Sequence, residues 1–517
     1  MAALAQGSVV AVIGSGAMGS GIAQVAAAAG YQVRLFDTRP EAVDKAISEI
    51  GKVFGKLVEK GRMSGEDAAA ARGRLHAVAA LENVADAALV VEAIVENLEV
   101  KHALFGELEG IVADDAILAT NTSSISVTAI AAKLRRPQRL VGMHFFNPVP
   151  LMALVEVISG LATDTVVAQT VFDTAAAWGK NPVHAKSTPG FIVNRVARPY
   201  YAEGWRLLNE QAADAVTIDA LMREAGGFRM GPFELMDLIG HDVNYAVTES
   251  VFRAYYSDPR FTPCVLQNEL VNAGFLGRKS GRGIYVYGEG APALQPMAEA
   301  PLPPPEYVGY SAEPGETSSI AATIVERLKQ RGIAVSARKS AESHKKHEAP
   351  AFHVSGCAVY LTDGRTATER ASDDRHPDTV VYDLVFDYAT APRIAVAKSD
   401  QCSERGYQAA VALFQAAGFT VTRMDDVPGL AVMRTVAMLA NEAADAVNQG
   451  VCSAAGADMA MQKGVNYPRG PLAWADMVGV RHIATVLDHL AQAYGEDRYR
   501  VSPLLRRKQQ SGAKIHA

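Results

Sequence analysis

The clearest indication of the fold is the segment Val9-Val10-Ala11-Val12-Ile13-Gly14-Ser15-Gly16-Ala17-Met18-Gly19. Its first five residues form a short, largely β-branched apolar run, which is typical of a strand buried in a parallel sheet. The GxGxxG sequence that follows is weak alone, because small residues are common in turns. Between a strand and a helix, its glycines permit a tight turn and bring a pyrophosphate close to the helix N-terminus. The segment therefore predicts a dinucleotide-binding βαβ unit.

The second predicted strand runs from Tyr31 to Phe36 and ends at Asp37, 23 positions after Gly14. A carboxylate there accepts hydrogen bonds from the adenosine ribose hydroxyls, which favours NAD over NADP. Arg39 keeps NADP open, because a nearby arginine can accommodate a 2′-phosphate. The alternative to a cofactor site is a glycine turn that serves only the fold. We predict an NAD site that comprises Gly14, Gly16, Ala17, Met18, Gly19 and Asp37.

Strand and helix patterns alternate further along the chain. Apolar runs at 88–93 and 117–120 predict strands, and a charged helical pattern lies between them. The alternation predicts a doubly wound α/β domain over residues 1–187. A helical pattern follows at 188–288, and the proline-rich range 289–317 is predicted to be a semi-rigid linker. Weaker strand and helix patterns predict a further α/β domain at 318–426.

The helical region is repeated at an offset of 239 residues. Pro189-Gly190 matches Pro428-Gly429, and Gly231-Pro232 matches Gly470-Pro471. Arg195 also matches Arg434. Because chance matches would not hold one register over some fifty residues, residues 427–517 are predicted to be a second copy of the helical domain.

A histidine and a glutamate stand out after the predicted α/β core. His144 lies in Gly142-Met143-His144-Phe145-Phe146-Asn147-Pro148, and Glu156 lies within the apolar run Leu154–Ile158. A carboxylate in such a run needs a partner, because an unpaired buried charge is costly. Prolines 148 and 150 can turn the chain back so that Glu156 meets His144 and orients its imidazole. The alternative is that Glu156 faces solvent at a sheet edge.

Composition excludes several classes of protein. With 49% hydrophobic and 21% charged residues and a net charge of −6, the chain is a globular protein with no indication of a nucleic-acid partner. The four cysteines form no CxxC pair, so neither a zinc site nor a disulfide framework is expected. The first residues lack the basic segment of a secretory signal and no apolar run reaches membrane-spanning length, so we expect neither a secreted nor a membrane-spanning protein. We expect a cytoplasmic protein that binds no metal or membrane.

Five motifs together resemble the 3-hydroxyacyl-CoA dehydrogenase family: the glycine loop, Val91–Asn97, Asn121–Ser124, the block from His144 to Glu156, and Pro189–Arg195. The resemblance covers residues 7–288 and implies NAD-dependent oxidation of a 3-hydroxyacyl-CoA. It makes His144 the base and Glu156 its partner, and it places Ser123 and Asn194 where polar groups position the reacting oxygen. On the cofactor side, the resemblance implies Glu96, Lys101, Asn121 and Asn147. Ser123 and Asn194 can equally be structural polar residues.

The second half resembles the reduced Rossmann-like domain and the additional helical domain of the long bacterial members of this family. Asn194 maps to Met433, and neither a GxGxxG loop nor an HFFNP block precedes Pro428, so we expect this half to be structural. Short members of the family associate through their helical domains. This predicts an intramolecular pseudo-dimer of the two helical copies, with a homo-oligomer as the alternative.

The resemblance leaves the acyl group open among acetoacetyl-sized, longer fatty acyl and dicarboxylic groups, so both 3-hydroxybutyryl-CoA and 3-hydroxyadipyl-CoA stay candidates. Fatty-acid or phenylacetate-type degradation would supply such substrates. Two other functions stay open. A β-hydroxyacid or 6-phosphogluconate-type dehydrogenase shares the predicted order of domains but generally uses a catalytic lysine. A non-catalytic, crystallin-like NADH-binding protein is the second alternative.

Overall fold

A computed structural model describes residues 2–311, 318–338 and 349–516 of the chain. The chain forms two compact units. The first runs to Arg195 and also contains Gln449–Val465, and the second contains Val196–Asn448 and the residues from Asn466 onward.

The first unit is built on a sheet of eight described strands. Its strand order is β3-β2-β1-β4-β5-β6-β7-β8. Neighbouring strands are parallel except for β6 and β7, which are antiparallel. The strands are β1 (Val9–Ile13), β2 (Gln32–Phe36), β3 (Leu75–Ala77), β4 (Leu89–Glu92), β5 (Ile117–Thr120), β6 (Leu140–Phe145), β7 (Leu154–Ser159) and β8 (Asn181–Lys186).

Seven helices that begin before Arg195 connect the strands and cover this sheet. They are α1 (Ala17–Ala28), α2 (Pro40–Glu59), α3 (Gly65–Gly73), α4 (Leu98–Ile111), α5 (Val127–Ala131), α6 (Thr165–Ala177) and α7 (Val193–Val196). Helix α1 buries a face of small residues, which lets it pack closely on the sheet. The core lies between this sheet and its helices, and includes Val10, Val12, Ile22, Val33 and Leu35.

The second unit contains another mixed sheet, with strand order β10-β9-β11-β12-β13-β14-β15. Its described strands are β9 (Tyr307–Ser311), β10 (Ala334–Arg338), β11 (Phe352–Val354), β12 (Cys357–Leu361), β13 (Thr379–Tyr382), β14 (Arg393–Lys398) and β15 (Thr420–Arg423). Helices α13 (Ser318–Gln330), α14 (Ala367–Asp373) and α15 (Glu404–Ala416) accompany them. Strand β14 begins and ends 239 positions after β7, so the repeat extends from the helices into the sheets.

The range predicted to be a linker, 289–317, is partly a strand. Tyr307–Ser311 forms β9, which pairs in parallel with β10 and antiparallel with β11. Before β9, the Met297 amide donates to Thr217 Oγ1 at 2.9 Å and the Leu302 amide donates to Gln415 Oε1 at 2.8 Å. The prediction of a spacer over the whole range is therefore wrong, because backbone hydrogen bonds attach it to the second unit; residues 312–317 lie outside the described part.

The two helical copies contribute the remaining helices. The first copy forms α8 (Arg198–Asn209), α9 (Ala215–Ala220), α10 (Pro232–Ile239), α11 (His241–Ala254) and α12 (Val265–Asn272). The second forms α16 (Val432–Asn448), α17 (Ala454–Gly464), α18 (Pro471–Val478), α19 (Val480–Tyr494) and α20 (Pro503–Ser511).

Helix α8 of the first copy packs directly on helix α16 of the second. Arg434 Nε lies 2.6 Å from Glu203 Oε2 in this contact, and neither side chain is exposed to solvent. The two copies therefore meet within one chain.

The predicted fold class, a Rossmann-like α/β domain followed by a helical domain, a reduced α/β domain and a second helical copy, is confirmed. Within the described ranges, every helix falls short of the length and apolarity that a bilayer crossing requires.

Candidate active site

The glycine loop between β1 and α1 uses its three glycines in different ways. Gly14 has a φ of 104°, a conformation that side chains rarely adopt. A Cβ at Gly19 would run into the Gly14 carbonyl, so this glycine lets the helix approach the strand. A Cβ at Gly16 would meet open space, so the backbone is accessible there. Ala17 and Met18 open helix α1, whose N-terminal amides suit a phosphate.

Asp37 follows β2 and is held by the glycine loop. Its Oδ2 accepts hydrogen bonds from Ser15 N at 2.9 Å and Ser15 Oγ at 2.8 Å, and its Oδ1 accepts one from Arg39 N at 3.1 Å. Burial raises the pKa of Asp37, but these hydrogen bonds outweigh burial and keep the pKa below its usual value. Asp37 is therefore an ionised acceptor beside the open glycine loop. This arrangement fits the ribose of a dinucleotide.

His144 and Glu156 form a buried pair across the antiparallel strands β6 and β7. The two residues lie opposite each other in the strand register, and His144 Nδ1 is 2.7 Å from Glu156 Oε2. His144 is 5% exposed and Glu156 is fully buried. The alternative that Glu156 faces solvent at a sheet edge is wrong, because β7 lies between β6 and β8.

The second oxygen of Glu156 is fixed by backbone. Its Oε1 accepts hydrogen bonds from the amides of Ile192 and Val193, both at 3.0 Å. Three donors thus satisfy a carboxylate that would otherwise be costly to bury. Asn194 is the next residue of the short helix α7 and is half-buried. One carboxylate therefore links the imidazole to the segment that carries Asn194.

Aromatic rings flank the imidazole. The centroid of the His144 ring lies 4.5 Å from that of Phe146 and 5.9 Å from that of Phe191. The Asn147-Pro148 peptide bond that follows is cis, and Asn147 is exposed just beyond the end of β6. Hence Nδ1 of His144 contacts Glu156, while its ring contacts the phenyl rings of Phe146 and Phe191.

Glu96 organises the loop that contains Ser123. Its Oε1 accepts from Thr122 Oγ1 at 2.6 Å and from Ser123 N at 3.0 Å, and its Oε2 lies 3.2 Å from Lys101 Nζ. Although burial raises the pKa of Glu96, the Thr122 hydrogen bond and the Lys101 charge hold it below its usual value. The structure thus brings the predicted residues Glu96, Lys101 and Ser123 together.

Lys101 is anchored from its other side by Glu92. Its Nζ lies 2.6 Å from Glu92 Oε1, and Glu92 Oε2 accepts from Thr120 Oγ1 at 2.7 Å. Asn121 joins this loop to the histidine strand, since its Oδ1 accepts from Phe145 N at 2.9 Å. Glu92 was missed by sequence reasoning, although it ends the apolar run of β4 just as Glu156 interrupts that of β7.

Ser15 and Thr122 were also missed as site residues. Ser15 was present in the sequence as the variable residue between the first two glycines, and Thr122 stood beside Ser123. The Ser15 hydroxyl donates a hydrogen bond to Asp37, and the Thr122 hydroxyl donates one to Glu96. In each case only the fold brings the carboxylate close. A serine or threonine inside a motif is the only sign that the sequence offers for such a contact.

The second sheet carries no equivalent pair at the repeat positions. Asp383 stands where His144 does, Ala395 where Glu156 does, and Met433 where Asn194 does. The Asp383 carboxylate accepts from the amides of Val432 at 2.7 Å and Met433 at 2.9 Å, so it holds the start of helix α16 itself. Both the histidine and the glutamate of the buried pair are thus replaced.

The segment Gln449–Val465 of the second helical copy packs against the first sheet. Gln449 Oε1 accepts from Arg195 Nη1 at 2.9 Å, and the Val451 carbonyl accepts from Lys186 N at 2.9 Å. At Gly464, a Cβ would come within 2.6 Å of the Leu154 side chain and 3.0 Å of Val193. Helix α17 therefore contacts the strand of Glu156 and the helix of Asn194. Sequence reasoning placed the second copy but not this contact.

The described part of the chain contains no cluster of three His, Cys, Asp or Glu residues that could hold a metal ion. The four cysteines, Cys264, Cys357, Cys402 and Cys452, are free thiols in the structure.

Comparison with known proteins identifies the class to which this fold and site belong. A family model for the NAD binding domain of 3-hydroxyacyl-CoA dehydrogenase matches residues 9–188. A model for the C-terminal domain of the same family matches twice, at 190–287 and 429–514. A model for the 3-hydroxybutyryl-CoA dehydrogenase reduced Rossmann-fold domain matches residues 359–428.

Individual relatives agree with these matches. The chain is 43% identical over 499 residues to the 3-hydroxyadipyl-CoA dehydrogenase of Escherichia coli K12, covering 96% of this chain and 97% of that protein. It is 44% identical to a probable 3-hydroxybutyryl-CoA dehydrogenase of Deinococcus radiodurans, covering 53% of this chain and 99% of that one. A crystal structure of the E. coli K12 3-hydroxybutyryl-CoA dehydrogenase superposes with a TM-score of 0.85 at 40% identity, covering 98% of this chain and 100% of that one.

The chain belongs to the 3-hydroxyacyl-CoA dehydrogenase family. It is an NAD-dependent dehydrogenase, and the predicted family, enzyme class and cofactor are confirmed. The open loop at Gly16, the N-terminus of α1 and the ionised Asp37 are the residues that fit NAD.

Proposed function

We propose that this enzyme oxidises (S)-3-hydroxyacyl-CoA to 3-oxoacyl-CoA, with His144 as the base and Glu156 as the residue that orients it. One observation carries the proposal: the buried contact of 2.7 Å between His144 Nδ1 and Glu156 Oε2. Because a carboxylate only accepts hydrogen bonds, Nδ1 carries the proton of the neutral imidazole. The other ring nitrogen, Nε2, is then the acceptor for a substrate hydroxyl proton.

In this proposal, residues of the chain accept the hydroxyl proton of the substrate and stabilise the positive charge that results. Bound NAD⁺ supplies the acceptor for the hydride that leaves C3. His144 Nε2 takes the hydroxyl proton, and the resulting imidazolium is stabilised by Glu156, whose own position is fixed by two backbone amides. Burial strengthens this electrostatic interaction, because little water competes at the pair.

Roles for further site residues are proposed from their places in the family motifs and in the fold. Ser123 and Asn194 are proposed to position the reacting oxygen, and the half-buried Asn194 is held in register by the amides that bind Glu156. Glu96, Lys101, Asn121 and Asn147 are proposed to line the cofactor side. In this proposal Lys101 acts through Glu96, because its amine is already engaged by two carboxylates.

For the acyl group we propose 3-hydroxyadipyl-CoA or 3-hydroxybutyryl-CoA, the groups named for the relatives, and a place in fatty-acid or phenylacetate-type degradation. The test is NADH formation from 3-hydroxybutyryl-CoA, 3-hydroxyhexanoyl-CoA and 3-hydroxyadipyl-CoA, with kcat/KM determined for each. A clear preference for one assigns the substrate. Equal values would contradict a specific assignment, and absence of NADH formation from all three would contradict the proposed reaction.

We also propose that the second half of the chain completes a pseudo-dimer and supports the catalytic domain. The boundaries predicted from the sequence stay a proposal, but Gln449–Val465 is part of the compact unit that contains His144. A chain truncated after Gly288 lacks this segment and the partner of helix α8, so we expect it to aggregate or to lose most of its activity. A monomeric truncated chain with full kcat would contradict this role.

A further inference from the structure

A cavity of about 350 Å³ lies among the helices of the second unit, and none of the residues proposed for the active site lines it. Its walls come from helices α8, α11 and α12 and from the segments 260–264 and 494–498. Part of the lining is aromatic or apolar, including Tyr201, Trp205, Phe261 and Val265. A cavity of this size and lining suits a small organic molecule.

Arg198 brings an uncompensated charge to this wall. It is 5% exposed, and its one hydrogen bond is from Nη1 to Thr248 Oγ1 at 3.0 Å. Its guanidinium lies 4.8 Å from the centre of the Tyr201 ring, and its Nε has no hydrogen-bond partner. Over the described ranges, no carboxylate lies within ion-pair distance of Arg198. Such a charge is costly to bury without a counter-ion.

The other arginines of the cavity are already neutralised. Arg260 Nη1 lies 3.1 Å from Glu442 and its Nη2 lies 2.5 Å from Asp445. Arg206 pairs with Glu203, and Arg498 pairs with Glu496 at the rim. Arg198 therefore differs from its neighbours in lacking an acid, and general basicity of the region does not explain it.

The charge of Arg198 is the feature of the wall that calls for a ligand. Its Nε is enclosed by protein atoms without a hydrogen-bond partner, so only the rest of the guanidinium can meet a molecule in the cavity. Among the described lining residues, no buried side-chain acceptor lacks a partner. A positive charge without an acid at a cavity wall suits an anion with acceptor oxygens.

We propose that this cavity binds the carboxylate group of a small organic acid, with the guanidinium of Arg198 as its main ligand. The apolar and aromatic walls hold the hydrocarbon part of the acid. The proposed occupant is a free dicarboxylic acid, so this inference does not rest on the proposed function.

The test compares wild type, Arg198→Met and Arg498→Met. Calorimetric titration with adipate measures binding independently of turnover. We expect wild type and Arg498→Met to bind adipate equally and Arg198→Met to bind it about ten- to a hundredfold more weakly, since a hydrogen bond to a charged group is lost. The thermal midpoint of Arg198→Met should not fall, because an unpaired buried charge has been removed.

A kinetic arm separates this site from the reaction. Arg198→Met should keep the wild-type ratio of the kcat/KM values for 3-hydroxyadipyl-CoA and 3-hydroxyhexanoyl-CoA, because the free acid binds outside the proposed active site. The proposal is overturned if Arg198→Met binds adipate as tightly as wild type, or if it only lowers the thermal midpoint.

Discussion

Replacing Glu156 with glutamine tests the geometry of the proposed base. The carboxylate accepts from His144 Nδ1 through one oxygen and from the Ile192 and Val193 amides through the other. Glutamine has the same size but a single acceptor oxygen. If this oxygen stays with the two amides, the NH₂ group faces Nδ1, which must then accept. The proton moves to Nε2, where the substrate proton should arrive.

The size of the effect follows from what is lost. General base catalysis is typically worth about 10² to 10⁴-fold, which corresponds to about 3 to 5 kcal/mol of activation free energy. The opposing charge that stabilises the imidazolium disappears in the same substitution. We therefore expect kcat to fall by about 10² to 10⁴-fold. The Kd for NADH should stay nearly constant, because Asp37 and the glycine loop contact neither member of the pair.

Asp383→Asn is the matched control. Asp383 is also a fully buried carboxylate that accepts backbone amides at the start of a helix, and it occupies the repeat position of His144. Both substitutions therefore change a buried carboxylate that accepts hydrogen bonds from the first amides of a helix. Only Glu156→Gln also changes a contact with an imidazole. Steady-state rates and NADH titrations on both variants separate chemistry from folding. A Glu156→Gln enzyme that keeps wild-type kcat, or an Asp383→Asn enzyme that loses kcat equally, would refute the orienting role.

Three further predictions concern the cofactor, the helical contact and pH. Asp37→Ala should raise the KM for NAD about tenfold or more with a smaller change in kcat, because a charged acceptor for the ribose is removed; an unchanged KM would contradict that assignment. Arg434→Met removes one of the two cations that contact the fully buried Glu203 and leaves only Arg206, so urea unfolding should show a loss of about 3 kcal/mol, against less than about 1 kcal/mol for Arg253→Met in an exposed pair. Equal losses would show that the buried pair contributes nothing special. Burial raises the pKa of Asp383 to about 6, although the carboxylate accepts hydrogen bonds from backbone amides. Between about pH 4 and pH 6, the folded chain therefore keeps a proton on Asp383 that the unfolded chain has released. This group's contribution to stability therefore falls as pH rises through that window, and the stability difference between wild type and Asp383→Asn should change with pH there and be flat above it.

Local patterns allowed much of the fold to be predicted. The apolar run of β1 and the glycine loop are contiguous in sequence, so their geometry is dictated by neighbouring residues. The meeting of His144 with Glu156 was also predictable, because one turn separates two strands and a carboxylate in an apolar run demands a partner. By contrast, the amides of Ile192 and Val193 come from a segment that follows an intervening helix and strand. Nothing local indicates that they bind Glu156.

The repeat shows a second limit of sequence reasoning. In the helices, equivalent positions such as Arg195 and Arg434 carry the same residue. In the strands β7 and β14, most equivalent positions carry different residues, because many side chains are tolerated in a strand. The repeat in the sheets is therefore seen only in the strand register. The strand β9 was missed for a related reason: Tyr-Val-Gly-Tyr-Ser is short, is interrupted by glycine and follows a proline-rich stretch.

The second half of the chain has no histidine pair at the repeat positions. In its α/β domain, Asp383 stands at the position of His144 and accepts hydrogen bonds from the amides at the start of helix α16, which stabilises the fold. Its segment Gln449–Val465 meanwhile contacts Arg195, next to Asn194, and leaves no room for a side chain at Gly464. The buried Asp383 carboxylate and the close contact at Gly464 are both explained by packing, without a catalytic role. If the second half served only as a spacer, neither the buried carboxylate nor the close approach at Gly464 would be needed, and the truncated chain would be as active as the whole.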